Sequence, residues 1–302
     1  MSFLNSRGAP GGDRPLAGIL HMAGAALALS GIDVLAKFAV AGIPVVQMLA
    51  LRSAFVMLVL LPFFLRAGGL SLFRSAQAPL HLARLFFMFF SILAFFHALS
   101  VLPLAMVVAL GFSTPIFVTA LSGPMLGERV DGARWAAVLF GFAGAVVVVN
   151  PAVDGFSAIA LLPLLSAMGW AMVQVLARKL TRTDSDATIL AYLNTGLVVA
   201  FGAIAPFAWA PIDAPAVGVC FLLGVLMVAA QWLMLRAIRL APISTVTPFQ
   251  YLELPLAVAF GWAIWSEWPG PHVFAGASMI IASGLFVVLK ERRRARAARA
   301  AA

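Results

Sequence analysis

Long apolar stretches alternate with short polar links along almost the whole chain. A helix needs about 20 apolar residues to cross the hydrocarbon core of a bilayer, and breaks fall where proline, glycine and charged residues cluster. The pattern predicts ten transmembrane helices, at about residues 16–38, 45–65, 82–101, 104–124, 133–150, 157–178, 187–209, 215–236, 243–264 and 271–290. We therefore expect an all-α integral membrane protein with almost no soluble domain.

Composition leads to the same class. Of the 302 residues, 63% are hydrophobic and only 10% are charged, and the mean hydropathy is +1.06. A soluble domain carries about 25% charged residues, because its surface must face water. Here the charges are too few for such a surface. The first apolar stretch is too long for the hydrophobic region of a signal peptide, so we expect it to be retained as the first helix.

The basic residues lie almost entirely on one side of the predicted membrane. With the N-terminus inside, 18 of the 20 Lys and Arg residues fall in the two tails and the even-numbered links, and the opposite links carry none. This split follows the positive-inside rule and predicts a multi-pass protein of the cell inner membrane with both termini cytoplasmic. We expect the basic C-terminal tail to contact anionic lipid headgroups. It lacks the interleaved aromatic residues of a nucleic-acid site.

The two halves of the chain echo each other weakly, at offsets of 141 and then 139 residues. The matched pairs are Val34–Lys37 with Val175–Arg178, Leu49 with Leu190, Ala98 with Ala237, Pro103 with Pro242 and Glu128 with Glu267. The repeats span 16–150 and 157–290, between tails at 1–15 and 291–302. A unit of five helices must insert upside down relative to its copy. Inverted repeats are typical of secondary transporters. We expect the two glutamates to cap helices or form ion pairs at the membrane surface.

A family resemblance rests on these repeated segments. They are Ala98-Leu99, Pro103-Leu104-Ala105, Thr114-Pro115 and Gly127-Glu128-Arg129 in the first copy, and Ala237-Ile238, Ala241-Pro242-Ile243-Ser244, Pro255 and Ser266-Glu267-Trp268-Pro269 in the second. The chain resembles the EamA family of the drug/metabolite transporter superfamily. The resemblance implies transport of a small organic metabolite, such as an amino acid, an amine, a vitamin or a nucleotide-like compound. Transport would proceed by alternating access, and proton coupling is one mechanism open to it.

Glu253 is the first candidate for that mechanism. It falls midway along the ninth predicted helix, between Pro248 and Pro255. An ionisable group inside the membrane is costly and is a functional candidate by default. Hydrocarbon favours the neutral form of a carboxyl, so Glu253 is our candidate proton carrier and substrate-binding residue. A paired carboxyl with a purely structural role is the alternative.

Asp33, Lys37 and Arg52 are the other clear ionisable groups that the prediction places inside the hydrocarbon. Asp33 and Lys37 share a face of the first helix, four residues apart. Asp33 and Arg52 lie at similar predicted depths on neighbouring helices, so they can meet. One interpretation is a structural ion pair between the two helices, with Lys37 extending outward to water. The other is an external gate, or a site for an anionic group of the substrate.

Four uncharged side chains complete the predicted substrate site. Amide and indole groups should face the interior of a membrane bundle, and the best candidates are Trp170, Gln174, Gln231 and Gln250. No cofactor or metal is expected, because the chain has one cysteine and four scattered histidines. An intramembrane enzyme is therefore disfavoured. A channel or a structural membrane subunit is the main alternative, and we expect a monomer or a homodimer.

Overall fold

The fold is described from a computed structural model, over residues 15–126, 132–150, 158–240 and 247–300. Within these ranges every regular element is a helix. The α-helices are α1 (Pro15–Gly42), α2 (Val45–Ala67), α3 (Ala78–Val101), α4 (Leu104–Gly111), α5 (Thr114–Leu126), α6 (Gly132–Val149), α7 (Leu162–Leu180), α8 (Asp186–Ile204), α9 (Ala214–Leu240), α10 (Glu253–Trp265) and α11 (Pro271–Ala300). Short 3₁₀ helices occur at Gly69–Phe73, Ala158–Leu161, Ala205–Ala208 and Thr247–Leu252.

Seven stretches of the described chain are long and apolar enough to cross a membrane. They are Leu16–Gly42, Val45–Ala67, Ala78–Val101, Leu104–Leu121, Ala158–Leu180, Asp186–Ala208 and Ala214–Met234. Trp135–Val149 and Pro271–Phe286 are apolar but shorter. The prediction of an all-α, multi-pass membrane protein is confirmed. The total of ten spans stays a prediction.

Two predicted helices are interrupted near their middles. The predicted helix 104–124 is divided into α4 and α5 at Phe112 and Ser113. In the described part of the predicted helix 243–264, which starts at Thr247, the 3₁₀ segment gives way to an α-helix at Glu253. Pro115 and Pro255 lie in the first turns of α5 and α10. Proline lacks an N–H and fits a first turn better than a helix interior, so each residue favours a new helix over a continuous one.

The two interruptions meet inside the bundle. The rings of Phe112 and Tyr251 contact each other, with centroids 5.1 Å apart. These residues are 139 positions apart, which is the offset that relates the later segments of the two sequence repeats. The midpoints of two discontinuous helices therefore lie against each other.

The helix packing comes in matched pairs. α1 packs along α9, and α3 packs along α7. The 3₁₀ segment and α10 lie against α1, while α5 lies against α7. Exchanging each helix of the first sequence repeat with its counterpart in the second converts the α1–α9 contact into the α3–α7 contact. The same exchange converts the α1–α10 contact into the α5–α7 contact. α2 with α8, and α6 with α11, form two further contacts that the exchange leaves unchanged.

The contact between α6 and α11 depends on glycine. A Cβ atom on Gly144 would lie 2.8 Å from the carbonyl oxygen of Gly276 and 2.8 Å from Cβ of Met279. Real side chains do not approach so closely, so the absence of a side chain lets the two backbones touch. Ser283 donates a hydrogen bond of 2.6 Å to the carbonyl of Ala137 across the same interface. Small residues let membrane helices pack closely in this way.

Candidate functional site

Three charged side chains converge where α1, α2 and the start of α10 meet. Asp33 of α1 is 6% exposed and Arg52 of α2 is 3% exposed. The carboxyls of Asp33 and Glu253 lie within hydrogen-bonding reach of each other, and the Arg52 guanidinium is close enough to attract Asp33. The same guanidinium lies 5.0 Å from the ring centroid of Phe96 on α3. We call Asp33, Arg52 and Glu253 the charged triad.

The chemistry of the charged triad is that of two carboxyls beside one cation. Two carboxyls at hydrogen-bond distance cannot easily both be ionised in an apolar setting, so the pair favours holding one proton. The fixed charge of Arg52 favours keeping the other carboxyl ionised. With one proton shared by the two carboxyls the triad is electrically neutral, and gain or loss of that proton changes its net charge by one.

Several polar atoms around the charged triad lack a partner. Among the described residues, Oδ2 of Asp33, Nε of Arg52 and Oγ of Ser30 are buried and accept or donate no hydrogen bond. Ser30 lies one turn from Asp33 on α1. Buried polar groups are usually satisfied by protein or water. These atoms are thus available to a water molecule or to a polar group of a solute.

Glu253 owes its place to the interrupted helix. It is the first residue of α10, directly after the 3₁₀ segment Thr247–Leu252. Its side chain is half-buried. Within the same interruption, Tyr251 contacts Phe112. A carboxyl at the broken midpoint of a spanning segment is the arrangement in which transporters bind ions and solutes.

Lys37 forms an ion pair with Glu267, which the sequence analysis did not predict. Its Nζ donates to both carboxylate oxygens of Glu267, at 2.5 and 2.7 Å, and to the carbonyl of Leu102 at 3.4 Å. Nζ also lies 4.8 Å from the ring centroid of Trp265. Lys37 therefore reaches the predicted outer end but is paired there, and it joins α1 to the ends of α3 and α10. Whether it serves as a gate or as a structural contact stays a prediction.

A left-handed turn brings Glu267 to Lys37. Ser266 ends α10 with φ of 57°, and the following N–H, of Glu267, donates to the carbonyl of Gly261 at 3.0 Å. This geometry is usual for glycine and rare for other residues. The chain reverses here, so the carboxylate also accepts the N–H of Leu104 at 3.1 Å. Glu267 thereby caps α4 and binds Lys37 at once, as expected of a capping and pairing residue.

The four residues predicted to line the substrate cavity differ in the exposure of their side chains. Trp170, Gln174 and Gln231 have exposed side chains, and Gln250 is half-buried. Trp170 and Gln174 lie one turn apart on α7. Within the described chain, no hydrogen bond joins any of these four side chains to Glu253. Their role in lining a substrate cavity stays a prediction.

A second polar cluster, at the predicted cytoplasmic end, was missed. His81 Nε2 lies 3.1 Å from Asp184 Oδ2, which also accepts from Ser75 at 2.9 Å. The imidazole stacks on the ring of Tyr192, with centroids 4.1 Å apart. His81 and Asp184 are 103 residues apart, and no periodic pattern relates them. The described residues contain no group of three potential metal ligands.

Several curated proteins are similar over most of their length. The chain is 32% identical over 287 residues to a riboflavin transporter of Vibrio cholerae, covering 93% of this chain and 96% of that protein. It is 26% identical to an S-adenosylmethionine uptake transporter of Rickettsia bellii, covering 87% and 90%. It is 29% identical to the pseudopaline exporter CntI of Pseudomonas aeruginosa, covering 87% and 93%. These relatives are transporters, and none is named as an enzyme.

A solved crystal structure shares the fold. It matches with a TM-score of 0.59 and 20% identity, over 92% of this chain and 98% of the other. At that identity the match establishes the fold alone.

The family model matches both halves of the chain. The model of the EamA-like transporter family matches residues 16–150 and again 157–289. This covers most of the sequence, and it agrees with the resemblance found from the repeated segments. Together with the apolar helices, it identifies a multi-pass membrane transporter of small molecules. The chain belongs to the EamA-like transporter family.

Proposed function

We propose that the protein is a secondary transporter that takes up riboflavin across the inner membrane by alternating access, with proton coupling at the charged triad. The observation that carries the proposal is the 32% identity to a riboflavin transporter along 93% of this chain. Riboflavin is a vitamin, one of the solute classes that the sequence resemblance implies.

Alternating access requires two halves that move against each other. The proposal is that ten spans form two inverted five-helix repeats, 16–150 and 157–290, with both termini cytoplasmic. The matched helix contacts support it, because exchanging the repeats converts the α1–α9 contact into the α3–α7 contact. The contact between Phe112 and Tyr251 at the two interruptions supports it as well. Transporters of this kind place their site where such broken helices meet.

Riboflavin suits the groups around the charged triad. Its ring system is flat and aromatic, with an imide edge that both donates and accepts hydrogen bonds. Solute sites combine apolar and aromatic walls with a few polar groups. The aromatic rings of Phe112 and Tyr251 lie at the break that leads into Glu253. The unpartnered atoms of Ser30, Asp33 and Arg52 offer both donors and acceptors to an imide.

S-adenosylmethionine is a second candidate. One observation favours it: Asp33 and Glu253 place two carboxyls side by side, which suits the positive sulfonium and ammonium groups of that solute. A relative named for its uptake is 26% identical. The two candidates differ in charge, so competition separates them.

The test is uptake of radiolabelled riboflavin into proteoliposomes containing the purified protein. With an acidic exterior, we expect saturable accumulation that falls when the pH gradient is dissipated by an ionophore. Unlabelled riboflavin should compete and S-adenosylmethionine should not; the reverse would replace the first candidate with the second. Flux that never saturates would favour a channel. The absence of flux for both solutes, in protein that still folds, would refute the proposed substrate.

Topology is tested independently of the substrate. Reporter fusions active only in the cytoplasm should be active at both termini and in the links between α2 and α3 and between α7 and α8. Activity at one terminus alone would contradict an even number of spans.

A further inference from the structure

Two helices of the bundle are exposed on two opposite sides. On α7, Leu165 is 51% exposed and Gln174 is also exposed, although it lies nine residues further on, about two and a half turns. On α9, the exposed residues Leu222 and Gln231 have the same separation. A helix at the periphery of a membrane bundle turns one side to lipid. The second exposed side of each helix therefore needs a different explanation.

The second sides carry the polar residues, and they are exposed only towards the predicted cytoplasmic end. Trp170 lies one turn before Gln174 on the same side of α7 and is 40% exposed. Two turns before Gln174 and Gln231, towards the predicted outer end, both sides are covered. Ala167 is 2% exposed there, and Gly224 is buried. Amide groups are costly to expose to lipid, so these sides suit the walls of a water-filled cleft that is open at one end.

The corresponding helix sides at the predicted outer end are closed. Gln174 corresponds to Asp33 at the offset of 141 residues. Gln231 corresponds to Ile92 at the offset of 139 residues. Asp33 and Ile92 are each 6% exposed, and α1, which carries the first, contacts α3, which carries the second. Within the described chain, α7 and α9 make no comparable contact. Equivalent helix sides are thus packed together at the outer end and separated at the cytoplasmic end.

Two polar contacts agree with this difference between the ends. Lys37 binds Glu267 and the carbonyl of Leu102, so it joins α1 to the ends of α3 and α10. At the predicted cytoplasmic end, the contact between His81 and Asp184 joins α3 to the link after α7, and these two helices already pack along each other. The first contact therefore holds α1 and α3 together, whereas the second leaves α7 and α9 apart.

We propose that this structure is the inward-open state of the transport cycle, with a water-filled cleft between α7 and α9 that leads from the cytoplasm towards Glu253. Trp170, Gln174 and Gln231 line the cleft and contact the solute as it leaves for the cytoplasm. The proposal rests on the topology and the inverted repeats of the proposed function, but it does not depend on which solute is carried. Exchange of the repeats then describes the outward-open state: α7 and α9 come together and bury both glutamines, and α1 and α3 separate.

Labelling of single cysteines from each side of the membrane tests the cleft. Cys220 is the one cysteine of the sequence and is buried, so Cys220→Ala gives a background without thiols. Gln174→Cys and Gln231→Cys are the reporters. Met172→Cys and Ala229→Cys are the matched controls, because each lies two residues before its reporter, at nearly the same depth but on the opposite side of the helix. A membrane-impermeant thiol reagent is applied to right-side-out and to inverted vesicles, and no solute is needed.

The reporters should react from the cytoplasmic side at least about tenfold faster than their controls, because the reactive thiolate forms readily in water and poorly in apolar surroundings. From the outside, the reporters should react slowly. Reporter rates equal to the control rates would place both glutamines in lipid and overturn the cleft. Equally fast reaction from the outside would overturn the inward-open assignment. A disulfide between two copies of the Gln174→Cys variant would indicate an interface between protomers instead of a cleft.

The closed outer face is tested with Ser30→Cys, which places a thiol beside the charged triad. If the ion pair holds this face closed, Lys37→Ala and Glu267→Gln should raise labelling from the outside about twofold to fivefold, which corresponds to the measured strength of ion pairs near a surface. Gln47→Ala is the control, because Gln47 is fully buried at the same predicted end but exchanges its hydrogen bonds with Ala210, on the link before α9. No rise in the two ion-pair variants, or an equal rise in the control, would overturn this role of the ion pair.

The outcome for the solute is separate from the outcome for the cleft. Fast cytoplasmic labelling of both reporters without riboflavin uptake would refute the substrate and leave the cleft intact. Riboflavin uptake by a protein whose reporters react as slowly as the controls would overturn the cleft and leave the proposed substrate intact.

Discussion

The two repeats supply the same helices to the centre of the protein but different chemistry. The first two helices of the first repeat contribute Asp33 and Arg52, and α10 contributes Glu253. At the corresponding offsets, the other side has Gln174, Leu193 and Thr114. Leu193 is buried at 8% exposure, and the Thr114 hydroxyl donates to the carbonyl of Gly111 at 2.9 Å. The charged residues of the triad thus correspond in sequence to uncharged residues in the other repeat.

This difference separates what rocking of the two halves requires from what proton coupling requires. Rocking of two halves needs a similar backbone and similar interfaces, and these are what the matched helix contacts preserve. Binding a proton needs one carboxyl pair with a balancing cation, and a second copy would double the cost of burying charge. The comparison therefore predicts that proton chemistry is confined to the charged triad.

Replacing Glu253 by Gln should have the largest effect. The amide keeps the size of the side chain but cannot carry a proton, so accumulation driven by a pH gradient should fall by about tenfold or more, a change of about 1.4 kcal/mol. Thr114→Val, at the corresponding position of the other repeat, is the control and should retain gradient-driven accumulation. Uptake assays in proteoliposomes with and without a gradient provide the measurement. Full gradient-driven accumulation by the Gln variant would exclude Glu253 as the proton carrier.

Arg52→Met should have the next largest effect, on stability. It removes the buried cation that attracts the Asp33 carboxyl, so we expect the midpoint of thermal unfolding to fall. Leu193→Met in the other repeat preserves the character of its site and should cost less than about 1.5 kcal/mol. Thermal unfolding in detergent measures both. Adding Asp33→Asn to Arg52→Met should recover much of the loss, and no recovery would mean that the two residues are not energetically coupled.

Ser266→Gly gives the turn after α10 the residue that the first sequence repeat has at the corresponding position, Gly127. Ser266 has a positive φ of 57°, which glycine adopts at little cost, so we expect a stabilisation of about 0.5–1 kcal/mol. The midpoint of thermal unfolding should rise slightly. A fall in that midpoint would indicate that the serine side chain makes a contact worth more than the relief of backbone strain.

Gln174→Asp gives the uncharged region the carboxyl of its counterpart and should have the smallest effect. Gln174 is exposed, and a charge in a water-filled cavity should cost less than about 1 kcal/mol of stability. A lipid-facing position would cost about 2.5–3.5 kcal/mol. Thermal unfolding therefore distinguishes a cavity wall from a lipid-facing surface, and Gln231→Glu on α9 provides a parallel measurement.

The fold was largely predictable because lipid imposes a simple rule on sequence. Apolar length and proline or glycine breaks located the helical segments. Most described ends lie within five residues of the predicted ones, but α11 continues to Ala300, ten residues past the predicted end at 290. What the apolar pattern could not show was that the segment 104–124 divides at Phe112, because the residues on both sides are equally apolar. Only Pro115 signalled the division.

The sequence predicted which charged residues belong to the site better than it predicted which residues they contact. Charge inside hydrocarbon singled out Asp33, Arg52 and Glu253. The partner of Lys37 was not foreseeable from helical spacing, since Glu267 is 230 residues away and reaches the lysine through a turn with an unusual φ. His81 and Asp184 were missed for the same reason: their contact depends on how links fold at the end of the bundle.

If the proposed alternating access holds, the contact between Phe112 and Tyr251 lies where the two halves would pivot. If the halves tilt about two rings at mid-depth, a displacement at one surface reappears at the other with opposite sense and similar size. The volume of the side chains at positions 112 and 251 then sets how wide the opening at either membrane face can become. Transporters of this fold that carry a large solute and a small one would therefore differ in side-chain volume at positions 112 and 251.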